Sequence, residues 1–176
     1  MLFRSIPPLV NGIRGANNLL VIVAAGLTPE LRTAALSLLG ALRQERGKII
    51  TETEADPELL RRHDLLFIGL PKRAEIRPRW PGEPLIEESR LILDGQSFAR
   101  TETDLFVALP HPLVGDKACA LFLPAEAEGT RVAARKIPHY GKYGYLAFVA
   151  GENRVKGVSP PLSNPMRYLF NLENSK

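Results

Sequence analysis

Lys136-Ile137-Pro138-His139-Tyr140-Gly141-Lys142-Tyr143-Gly144-Tyr145-Leu146 places one His, two Lys, three Tyr and two Gly within eleven residues. No other stretch is so dense in groups that bind anions or move protons. A lysine near tyrosine and histidine can hold a carboxylate or phosphate, or lower a phenol's pKa for proton transfer. The same residues suit a structural role. Pro138 would end a helix, Gly141 and Gly144 would supply a turn, and the Tyr rings would plug the helix–strand junction with their hydroxyls bonded to backbone. His139, Tyr140 and Lys142 are therefore candidate ligand-binding residues and also candidate packing residues.

Three further positions join them. His111 sits between Pro110 and Pro112 just past a strand-like run, where flanking prolines fix the direction of the imidazole. Thr28 follows Gly26-Leu27 and would cap a helix whose free N–H groups attract anions. Lys72 opens a basic stretch, Lys72 to Arg79, after another strand-like run. In an open parallel sheet, ligands bind beyond the carboxyl ends of the strands, so these loops are the ones expected to build a site. If the Lys72–Arg79 and Arg131–Lys142 clusters flank one cleft, its ligand would be anionic.

Catalytic constellations are incomplete. No His-Glu-x-x-His occurs, and three scattered histidines make a poor zinc site. There is no Gly-x-Ser-x-Gly elbow. Gly-x-Thr-Pro matches neither phosphate-binding glycine motif. Cys119, the only cysteine, lies in the apolar run Ala118 to Leu123, so it reads as a core residue and excludes an intramolecular disulfide. The acids around Glu52-Glu54 and Glu87-Glu88 read as solvated faces. No catalytic residue, metal or cofactor is assigned, and the chain leans away from being an enzyme.

The elements that must position these groups follow from pattern. Leu19 to Ala25 is a continuous apolar run, the signature of a strand buried on both faces. At this length it is too short to span a bilayer. It is expected to remain in the protein as the first core strand rather than act as a cleaved signal. Thr28-Pro29-Glu30 opens a helix with an apolar stripe to Leu42 and an expected C-cap at Gly47. Lys48 to Thr53 is a second strand, Pro57 to Arg62 a short helix, and Leu65 to Leu70 a third strand. This alternation indicates parallel crossover units. Pro71 to Pro84, with four prolines and the only Trp, Trp80, breaks the rhythm. Asp94-Gly95 then signals a hairpin. Strands at Asp104–Leu109, Ala118–Leu123 and Gly144–Ala150 follow, with a helix at Glu126–Lys136 between the last two. The expected organisation is a single domain, residues 1–176. Residues 1–18 form an irregular lead-in, 71–103 a loop and hairpin excursion, and 159–176 an irregular tail. The expected fold is a three-layer, Rossmann-like or flavodoxin-like α/β sandwich with a mostly parallel sheet.

An apolar fraction of 45% and a net charge of +4 describe an ordinary globular chain. The mild basicity permits an anionic partner, but few aromatics interleave with the basic residues, so nucleic acid is not expected.

Arg135 to Phe148, then Asn153, Lys156-Gly157 and Ser159-Pro160-Pro161-Leu162, resembles the C-terminal segment of certain large bacterial proteins. Those proteins resemble gluzincin zinc aminopeptidases and carry an extra α/β domain after the peptidase part. Leu105–Pro112 and Ala118–Pro124 are also similar to that domain. The likeness is clearest over roughly the last seventy residues. The zinc signature is absent, so peptidase activity does not carry over. The resemblance implies a non-catalytic accessory domain, partnered by a peptidase-like parent domain or another protein, with the parent exported or membrane-associated. The alternative is a small anionic-ligand-binding domain or enzyme with its site at the carboxyl ends of the strands. Convergence of His111 with the His139–Lys142 segment in one pocket would favour the second.

Overall fold

The computed structural model describes residues 8–78 and 83–159. Arg79, Trp80, the start of the lead-in and the tail beyond Ser159 lie outside the described residues. In chain order the elements are α1 (Val10–Arg14), β1 (Leu19–Val23), α2 (Pro29–Leu42), β2 (Lys48–Thr51), α3 (Pro57–Arg61) and β3 (Asp64–Ile68). Then come β4 (Leu85–Ile86), β5 (Arg90–Leu93), β6 (Gln96–Ala99), β7 (Thr103–Pro110), β8 (Ala118–Leu123), α4 (Ala127–Lys136), β9 (Tyr145–Val149) and β10 (Glu152–Gly157). A single 3-10 turn, Ile137–Tyr140, follows α4.

Seven strands form the main sheet in the order β10-β9-β7-β8-β3-β1-β2. β1, β2, β3, β8 and β9 point the same way, while β7 and β10 run against them. The architecture is the expected mostly parallel α/β sandwich. The apolar runs have the composition this burial requires, since every residue of β1 is buried. Alternate residues serve opposite faces. Leu19, Val21 and Val23 meet α1, α2 and α4 in one core; Leu20 and Ile22 face the other. That second core is closed by the short α3, by Ile76 and by β5 of a separate three-stranded antiparallel sheet, β4-β5-β6. The excursion is thus the third layer over much of the sheet.

β1–α2–β2 crosses one face toward the β2 edge. β8–α4–β9 crosses the same face toward the opposite edge, passing β7. Two crossovers between like-directed strands on one face, travelling in opposite directions, have opposite hands. One of them is therefore left-handed, whereas about 98% of such connections are right-handed.

Local chemistry accounts for the ends of the elements. Thr28 Oγ1 accepts from Leu31 N at 3.2 Å, and Pro29 occupies the first turn. Such a cap contributes about 1 kcal/mol. α2 ends earlier than expected. Arg43, not Gly47, adopts the left-handed conformation, with φ of 59°. Gln44 then turns inward, and its Nε2 donates to Arg14 O and Ala16 O at 3.0 and 2.9 Å. Those bonds tie down α1, a short helix within the expected irregular lead-in, which buries Val10 and Ile13 completely. Asp94 and Gly95 both have positive φ, 50° and 68°, and join β5 to β6 as the sequence signal requires.

Candidate functional site

The direction of β7 decides where the candidate residues lie. Because β7 is antiparallel to β8, Pro110-His111-Pro112 emerges at the amino edge of the parallel strands, not at their carboxyl edge. His139, Tyr140 and Lys142 precede β9 and also lie at the amino edge, but on the α1–α2–α4 face. His111 lies on the α3 face, bonded to Leu60. Thr28 and Lys72 alone occupy the carboxyl edge. The six side chains therefore do not share a cleft. The basic stretches Lys72–Arg77 and Arg131–Lys142 are likewise separated by the sheet.

At the carboxyl edge the chain reverses direction between β1 and β3, which is where an open α/β sheet ordinarily binds a ligand. Here the crevice is spanned from within. Glu52, expected to be solvated, is 5% exposed. Its Oε2 accepts from Ala25 N at 3.2 Å and from Lys72 N at 3.3 Å. One internal carboxylate thus ties together the loops after β1 and β3. Arg73 reinforces the closure, its Nη1 donating to Glu52 O and Ala55 O at 2.9 and 2.8 Å. Lys72 and Thr28 keep exposed side chains outside this closure. The sequence reading placed Glu52 inside the expected strand Lys48–Thr53, whereas β2 ends at Thr51 and leaves Glu52 in the loop beyond it.

His111 is 8% exposed and both its ring nitrogens are engaged. Nδ1 lies 3.1 Å from Leu113 N and 3.2 Å from Val114 N, and both amides donate to it. The proton therefore sits on Nε2, which donates to Leu60 O at 3.1 Å. Burial pushes the imidazole below its usual pKa, against the pull of these carbonyls. An open groove of about 370 Å³ runs between Ala74–Arg77 and Pro110–Leu113, with His111 in its wall. Glu75 in that groove is paired with Arg73 at 2.7 Å.

The aromatic segment packs as a plug. The Tyr140 ring lies edge-on to Phe148, centroids 5.9 Å apart, and tilts against Tyr143 at 6.0 Å. Both rings border the core on the helical face. α1 docks onto the segment backbone: Val10 N donates to Tyr143 O at 2.9 Å and Asn11 N to Gly141 O at 3.1 Å. Gly144 is needed for this approach, because a Cβ there would stand 2.8 Å from Pro8 O. Gly144→Ala is expected to destabilise the fold by about 1–3 kcal/mol, as overpacking does. Urea denaturation measures the loss, and faster amide exchange at Val10 and Asn11 would localise it. Tyr145 faces the other side and donates to Asp94 Oδ1 at 2.7 Å; burial first, then Asp94, pushes its phenol up to about 12. It pins the hairpin tip.

One buried polar cluster escaped the sequence reading. Asp104 at the start of β7 is 1% exposed, and its Oδ1 accepts from Ala125 N at 2.9 Å and from the Thr130 hydroxyl. Burial raises its pKa, with Arg100 nearby opposing. Nothing in the local pattern distinguishes Asp104 from a strand-edge acid. Cys119 is fully buried, and desolvation drives its thiol pKa far above the ordinary value. It is inert as a nucleophile. Among the described residues, no group of three or more His, Cys, Asp or Glu could hold a metal ion, and no helix is long and apolar enough to cross a membrane.

The arrangement is one in which the buried ionisable groups hold the fold's own loops rather than face a shared cleft. Compared with models of known families, this chain matches none, and no curated protein sequence matches it.

Proposed function

We propose that this chain is a non-catalytic accessory or interaction domain of a larger bacterial peptidase-like protein. The observation that carries this reading is the dispersal of its reactive groups. His111, His139 and Lys142 lie at one edge of the sheet but on opposite faces, and Glu52 spans the crevice where a ligand would enter. The likeness of Arg135–Phe148 to the accessory domain of gluzincin-like proteins supplies the parent. An anionic-ligand site is the reading it displaces.

A thermal-shift screen against anionic metabolites, nucleotide cofactors and divalent metals separates the two. It should be run on the wild type and on His139→Ala/Lys142→Ala. A ligand that binds only the folded state adds about 2.7 kcal/mol of stability at a hundredfold excess over its dissociation constant. No compound is expected to shift the wild type. A shift seen in the wild type and lost in the double variant would overturn the interaction reading.

A further inference from the structure

We propose that Tyr140, Tyr143, Lys142 and Lys156, with His139 and Val158 at the margin, form a docking shelf for an acidic segment of a partner polypeptide. This rests on the reading of the chain as an interaction domain and names the chemistry of its partner. Lys156 Nζ stands 5.5 Å from the centroids of both Tyr140 and Tyr143, and Lys142 Nζ stands 5.7 Å from that of Tyr143. Phe148 backs the Tyr140 ring and Tyr140 in turn backs Tyr143, so the rings hold the two ammonium groups in place by cation–π attraction. The side chains of His139, Lys142 and Lys156 are exposed.

Among the described residues, neither lysine forms an ion pair, although ion pairs form elsewhere. Lys136, one helical turn before the shelf, pairs with Glu152 at 2.8 Å. No acidic residue occurs from Ile137 to Phe148 or from Asn153 to Ser159. Among the described residues, the shelf is thus a pair of positioned charges with no acidic partner. Val158, 44% exposed, lies beside Gly144 and offers an apolar contact.

Carboxylates complement this surface better than the alternatives do. Nucleic-acid bases need bare ring faces on which to stack, and here ammonium groups stand over the rings. Insertion into a bilayer needs a continuous apolar face. Among the described residues, the exposed large apolar side chains, Ile49, Leu85 and Val158, are instead scattered over β2, β4 and the position just after β10. Attraction of this kind, at the surface, is modest and falls with ionic strength.

The test is fluorescence anisotropy with a labelled oligoglutamate peptide, at low salt and again at severalfold higher salt. The peptide is expected to bind the wild type and to weaken with salt. Lys142→Glu/Lys156→Glu should lower affinity about tenfold or more, since two attractions become repulsions. Lys142→Gln/Lys156→Gln should fall between, and its melting temperature checks that the fold survives. Arg46→Glu/Lys48→Glu changes net charge equally at the β2 edge and should leave affinity within about twofold.

An equal loss in that control would reduce the effect to overall charge and overturn the proposal. Tighter binding of an oligonucleotide or of anionic vesicles than of the peptide would also overturn it. Competition by citrate at the concentration effective for the peptide would show a small-anion site, sinking both this proposal and the interaction reading. No peptide binding, with the thermal-shift screen silent, would sink the acidic partner alone.

Discussion

Replacing His111 with alanine is expected to lower the unfolding free energy by about 2–4 kcal/mol, because three backbone groups lose their partners together. The amides of Leu113 and Val114 lose an acceptor, and Leu60 O loses a donor. The bonds join the loop after β7 to the end of α3, so their loss should loosen both. The same geometry predicts a pH dependence. Protonation of Nδ1 would set an N–H against two N–H donors, and burial already holds the folded-state pKa below the ordinary 6.5. The unfolded chain therefore takes up this proton at higher pH than the folded one. Stability rises with pH wherever the unfolded state binds more protons. The contribution of His111 is accordingly complete above about pH 6.5 and is lost as pH falls through the lower folded value. Melting temperatures of the wild type and His111→Gln, scanned downward from neutral pH, measure it. The wild type should lose stability faster than the variant below pH 6.5; parallel curves would mean that the imidazole is not held neutral.

Much of this fold was legible because its signals are local. Thr28-Pro29-Glu30 carries its own cap, and Asp94-Gly95 carries its own positive φ. The continuous apolar run of β1 reports burial on both faces whatever lies around it. The site was less legible because it depends on what is not local. Strand direction is not written in hydrophobic periodicity. The reversal of β7 moved His111 to the edge opposite the expected one. Glu52 looks solvated beside Thr53 and Glu54, and only the loops after β1 and β3, 27 and 20 residues away, make it a buried acceptor. α1 is five residues long, and its spacing of Val10 and Ile13 is too short to register as a helical stripe. The aromatic segment displayed both its chemistry and its packing role in sequence. The packing role is met by Phe148 and α1, while the approach of Lys156 to the rings is set by β9–β10 pairing.

Asp104→Ala is expected to cost about 2–4 kcal/mol, whereas Asp104→Asn should stay within about 1 kcal/mol of the wild type. The contrast follows from what the carboxylate does. It supplies the acceptor for Ala125 N and the Thr130 hydroxyl, which is completely buried. Glu126, the N-cap of α4, makes no side-chain cap bond, so Asp104 anchors this helix from β7. Asparagine can keep the accepting oxygen in place; alanine cannot. The charge, by contrast, is a burden. Burial raises the Asp104 pKa above the ordinary 3.8. A folded-state pKa above the unfolded one gives stability that is present below about pH 3.8 and lost as pH rises through the folded value. Arg100 offsets part of this burden by charge, at the expense of its own burial. Asparagine removes the burden but also removes the charge that attracts Arg100, which is why near-neutrality rather than a gain is expected. Urea denaturation of the three proteins at neutral pH tests the claim. Equal losses for Ala and Asn would mean that the charge of the carboxylate, and not only the reach of its accepting oxygen, holds Thr130 and Ala125 to β7. A large loss for Ala alone would make Asp104 a tertiary helix anchor. Its slope with pH should then run opposite to that of His111, since its folded-state pKa is raised and that of His111 lowered.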